Sequence, residues 1–119
     1  MIAAALARFA AAVETAGAQA LDPAVRALAH RVIARWQGEA AGLGRAWLAP
    51  LVGELNEELR PAGRLVLLTA LAPYQVDAGI VGAFRTRCSD DATLVAALAW
   101  ASLTAARRVG TWLTPSPLE

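Results

Sequence analysis

The chain has 119 residues, enough for one domain, and 57% of them are hydrophobic. Its basic residues are all arginine and nearly balance the carboxylates, for a net charge of +1. That excludes the basic stripe by which a protein grips nucleic acid. A single cysteine, Cys88, excludes an internal disulfide and a Cys-x-x-Cys pair, and a single histidine, His30, excludes a multi-histidine metal site within the chain.

The apolar excess predicts surface covered by further copies of the chain, a homo-oligomer. The longest charge-free run, Ala92 to Ala106, is too short to span a bilayer. Ala18-Gln19-Ala20 has the look of a signal-peptidase site. However, no basic segment leads into it, and Arg8 and Glu14 interrupt the apolar stretch, so an alanine-rich helix is the better reading. These features predict a cytoplasmic protein with no membrane segment, no nucleic-acid partner, no metal and no cofactor.

The first helix is predicted over 2–16, with Ile2, Leu6, Phe9 and Val13 on one face and Gly17 as its stop. Asp22 as N-cap and Pro23 at the first helical position start a second helix, with Val25, Leu28, Val32 and Trp36 as its stripe and Gly38 beyond its end. Leu48, Leu51, Val52 and Leu55 form a short amphipathic segment with Pro50 in its first turn. Pro61 opens a helix bearing Leu65, Leu68 and Leu71, which Pro73 ends or bends. Asp77 caps a segment carrying Ile80, Val81 and Phe84. Ser89, followed by Asp90 and Asp91, is expected to cap a long last helix with Leu94, Leu98, Ala105, Val109 and Trp112 on one face. The tail 114–119, with two prolines, is expected to be mobile. The sum is an all-α fold: a single compact domain over 1–119, of five to six helices, with no β alternation and no phosphate-binding glycine loop.

Between the second and third helices lies Arg35-Trp36-Gln37-Gly38-Glu39-Ala40-Ala41-Gly42-Leu43-Gly44-Arg45-Ala46-Trp47-Leu48. Glu39 and Arg45 could jointly hold a substrate and move a proton, with the glycines allowing close backbone approach. The plain alternative is a glycine-loosened turn with a surface ion pair. His30 is a candidate general base or an edge histidine. Trp36 and Trp47 are candidates for a pocket wall, or for core or subunit contact. Tyr74 could point its hydroxyl into a cleft or pin a connection. Arg107 could hold an anion or cap the last helix. Cys88 precedes a helix rather than lying in its first turn, so it reads as an incidental thiol.

The segment Leu65–Leu113 resembles the C-terminal part of the carboxymuconolactone decarboxylase and alkylhydroperoxidase D-like superfamily. The shared pattern is an apolar helix, a break, a second helix, then Ser-Asp-Asp before a long alanine-rich helix that ends basic. Val25–Val52 is similar to that family's preceding helix, glycine turn and site helix, so the resemblance covers about 22–113. It implies an all-α, alkylhydroperoxidase D-like fold that is usually oligomeric, with a site on the helix after the glycine turn. Laid on this sequence from Gly38, the family's two cysteines fall on Glu39 and Gly42 and its histidine on Ala46. A dithiol peroxidase needs one thiolate to attack and a second thiol to resolve. The implied function is therefore that of a divergent member without the redox pair, binding a small apolar or carboxylate ligand near Trp36, Glu39, Arg45 and Trp47. Two alternatives stand beside it. One is a non-redox enzyme using Glu39 or His30 as acid or base and Arg45 or Arg107 as anion clamp. The other is a non-catalytic oligomeric or partner-binding module.

Overall fold

A computed structural model describes residues 2–113 of the chain. It contains six α-helices: α1 (Ile2–Ala20), α2 (Pro23–Arg35), α3 (Leu48–Val52), α4 (Arg60–Leu71), α5 (Ala78–Arg85) and α6 (Asp91–Leu113). Single 3-10 turns lie at Glu57–Leu59 and Pro73–Gln75, and no strand occurs among the described residues. The all-α expectation holds. The tail 114–119, expected to be mobile, lies outside the described residues. No helix among those residues is long and apolar enough to cross a membrane.

Helix α4 is the central post. Leu65, Val66, Leu67 and Leu68 are each at most 1% exposed, so its middle turn is buried on every side. Helices α2, α3, α5 and α6 pack around it, and α1 lies along α6. Local chemistry sets most boundaries. The Asp22 carboxylate accepts from the Ala24 amide at 2.8 Å, with Pro23 opening α2. Pro61 sits in the first turn of α4, and Pro73 follows its end. Asp77 caps α5 by accepting from the Ile80 amide at 3.0 Å.

Three local expectations change. Asp90, not Ser89, caps α6: its carboxylate accepts from the Thr93 amide at 2.7 Å, because the helix starts one residue later than expected. Gly17 does not stop α1, which runs on to Ala20. A helical glycine there lets α1 approach α6 closely, and the fully buried Trp100 fills the space that a side chain would take. The core face of α6 is Ala97, Trp100, Ala101 and Thr104, while Leu94, Leu98, Ala105 and Val109 are only half-buried. Alanines flank Trp100 on this face, where α1, α2 and α4 all press on the helix and Gly17 of α1 makes room for the indole.

Helix α1 carries the expected stripe, but only Val13 is buried by it. Ile2, Leu6 and Phe9 share that face and are 62–78% exposed. Nothing among the described residues covers them.

Candidate functional site

After α2 the chain turns through two left-handed glycines, Gly38 at φ 91° and Gly42 at φ 77°. The turn is tied down from a distance. The Tyr74 hydroxyl donates to the Gly42 carbonyl at 2.6 Å, and the Gln75 side-chain amide donates to Gly42 at 3.0 Å and Gly44 at 3.1 Å. Arg45 returns the contact, donating to the Gln75 carbonyl and, at 2.7 Å, to the Asp77 carboxylate. That guanidinium, followed by the Ile80 amide, holds the Asp77 carboxyl below its usual range. Tyr74 thus pins the connection to the turn.

Arg45 also opens onto a cleft of about 530 Å3 beside α3, with Leu48, Ala49, Val52 and Ile80 as apolar wall and Arg60 and Arg64 on its rim. Arg60 is anchored, its Nε donating to the Leu55 carbonyl at 3.1 Å. Arg64 is half-buried and has no hydrogen-bond or ion-pair partner among the described residues. Three guanidinium groups over an apolar floor favour an anion with a short apolar body.

Glu39 does not join Arg45 there. Its carboxylate accepts from the Gln37 amide at 2.8 Å, which together with its own amide and the Arg108 charge keeps its carboxyl low and ionised. The Trp36 indole donates to the Glu39 carbonyl at 3.0 Å, and its ring lies 5.3 Å from that of Trp112. Trp47 packs half-buried against the core, its indole N–H buried without a partner among the described residues. His30 and Arg107 do come together, on a second cleft of about 240 Å3 between α1, α2 and α6. His30 meets the Trp100 ring edge-on at 5.1 Å, and Arg107 pairs with Glu14.

Over 93 residues, 78% of its length, the chain is 45% identical to the alkyl hydroperoxide reductase Rv2159c of Mycobacterium tuberculosis. This likeness supports an alkylhydroperoxidase D-like family for the chain. The chain spans about a quarter (27%) of that relative's length. No family model matches the chain, and no solved structure matches it.

The chain's only thiol, Cys88, stands half-buried in the wall of a separate cavity beside Val25 and Phe84. Sequence reasoning missed Gln75, Arg60, Arg64 and Glu14. Arg60 and Arg64 did carry a signal, since residues four apart on a helix share a face. Gln75 carried none, because its partners lie about thirty residues away, at Gly42 and Gly44.

Proposed function

We propose that this alkylhydroperoxidase D-like domain binds a small organic carboxylate with a short apolar body in the α3 cleft and does not run a dithiol peroxidase cycle. The observation that carries this reading is Arg64. A half-buried guanidinium without a partner among the described residues, facing an apolar wall, is where a ligand carboxylate gains most. Arg45 and Arg60 supply further positive charge, and Leu48, Val52 and Ile80 take the apolar body. The cleft lies on the helix that follows the glycine turn.

Calorimetric titration with hexanoate against hexanol tests it. Hexanoate is expected to bind and hexanol not, and Arg64→Ala is expected to weaken hexanoate about tenfold, the equivalent of one charge-assisted hydrogen bond. Equal binding of both compounds, or an unchanged affinity in Arg64→Ala, would overturn the assignment.

The relative's name raises peroxide reduction as an activity to test here. Such a cycle needs an attacking thiolate and a second thiol to resolve the sulfenic acid. Without a resolving thiol, Cys88 can only climb from sulfenic to sulfinic and sulfonic acid, each step consuming one hydroperoxide. With cumene hydroperoxide, consumption should therefore end within about three equivalents per chain; sustained turnover with dithiothreitol that Cys88→Ser abolishes would reinstate a peroxidase.

The assembly we infer is a homo-oligomer through α1, supported by the exposed face of Ile2, Leu6 and Phe9. A reducing, cytoplasmic setting fits a lone unpaired thiol.

A further inference from the structure

The cleft between α1, α2 and α6 shares no lining residue with the α3 cleft and concentrates charge of its own. Glu14 comes from α1, His30 from α2, and Arg107 and Arg108 from adjacent positions of α6. The Glu14 carboxylate is already used on both oxygens. One accepts from the Trp100 indole at 2.8 Å and the other from Arg107. Arg107 commits only Nη1 to that pair. Arg108 commits only Nε, to the Trp36 carbonyl at 2.9 Å, while its guanidinium lies over the Trp112 ring. The other terminal nitrogens of both arginines, and both ring nitrogens of His30, have no partner among the described residues. The hydroxyls of Thr104 and Thr111 donate to backbone carbonyls within α6, so the donors left to an anion are those of the arginines and His30. One neutralised carboxylate therefore faces an excess of unspent cationic N–H groups above an apolar floor of Ile33 and Ala34.

We propose that this cleft is a second anion site, which takes the oxyanion head of a small molecule, a carboxylate or a phosphate monoester, between Arg107, Arg108 and His30. The volume of about 240 Å3 admits such a head with a stem of a few carbons. The Trp100 ring meets the imidazole edge-on, and His30 brings its ring N–H to the cleft from α2 while the arginines come from α6. Glu14 orients Arg107 without reaching the ligand.

His30 is the chain's only histidine, so its ring-proton NMR signals report this cleft alone. Butyrate and propyl phosphate are titrated separately at constant ionic strength. A saturable shift of the His30 signals is expected with at least one of them, and the probe that saturates assigns the head group. Arg107→Gln is expected to weaken that binding about tenfold, and Arg64→Ala to leave it unchanged. If Arg107→Gln fails to fold because Glu14 loses its counter-charge, the double variant Glu14→Gln/Arg107→Gln removes both charges and serves instead. Shifts that stay linear in both probes, or a saturation curve unaltered by the Arg107 variant, would overturn the site. Loss of hexanoate binding at the α3 cleft would leave this result standing, so the two assignments fail separately.

Discussion

Gly17 of α1 lies against the indole of Trp100 so closely that a Cβ at residue 17 would stand 2.3 Å from Trp100 Cδ1. The nearest atoms belong to a ring that is 1% exposed and held by Glu14, so they have nowhere to move. Gly17→Ala should therefore cost stability despite alanine's better helix propensity. Overpacking of this kind costs about 1–3 kcal/mol, against roughly 1 kcal/mol gained in propensity. Urea unfolding should show a lower midpoint with little change in slope; a raised midpoint would mean that α1 slides freely on α6.

Gln75 should prove a structural anchor out of proportion to its size. It is 7% exposed, and its side-chain amide holds two carbonyls of the glycine turn. Gln75→Ala removes the donor on the Gly44 carbonyl and one of the two on Gly42, at a cost of about 0.5–1.5 kcal/mol per bond. Hydrogen exchange should rise across residues 42–46 first. Protection unchanged there would mean that Tyr74 alone suffices.

The Arg45–Asp77 pair sets a pH dependence with a definite sign. The Asp77 carboxyl is depressed in the folded state, chiefly by Arg45. Its contribution is complete above the unfolded aspartate value of about 3.9 and is lost only as pH falls through the lower folded value. The turn should therefore stay anchored from neutral pH down to about 4 and loosen below it. The Asp77 carboxyl carbon, followed by NMR, should titrate below the ordinary aspartate value of about 3.9. Arg45→Met should raise it toward that value, because Arg45 is the largest cause of the depression.

Leu6→Glu combined with Phe9→Glu tests the assembly. Both side chains are more than 60% exposed, so the fold of one chain should tolerate the change. The charges should disrupt a surface that buries apolar area against another copy. Light scattering should give the 12.4 kDa monomer for the variant and a multiple of it for the unmodified chain. A monomer in both cases would remove α1 as an interface.

The features that could be read in advance are those written in neighbouring residues. Asp22-Pro23, Pro61, Pro73 and Asp77 each act within one helical turn, so their roles were visible in the bare sequence. Periodicity identified the apolar face of α1 but not whether anything lies against it, since covering a face is a property of the partner. The stripe expected on α6 went astray for a related reason: alanines score weakly as core residues, yet where three helices converge Ala97 and Ala101 are buried beside Trp100, whose room comes from Gly17 on another helix. At the site, Arg45 was visible as a charge beside glycines. Its neighbours Arg60, Arg64 and Asp77 became neighbours only through the packing of α3 and α5 on α4.

The left-handed turn at Gly42 has a consequence for any attempt to restore thiol chemistry. The family resemblance places a second thiol at this position, where the backbone stands at φ 77°. A β-carbon meets no neighbour there, so room is not the obstacle; chirality is. An L-residue held left-handed costs roughly 1–2 kcal/mol. Tyr74 and Gln75 together clamp the Gly42 carbonyl and oppose relaxation of the turn. Writing cysteines into positions 39 and 42 would thus set a redox pair on a backbone of the wrong hand. The route back to a dithiol runs through remodelling of the 74–77 anchor first and the exchange of side chains second.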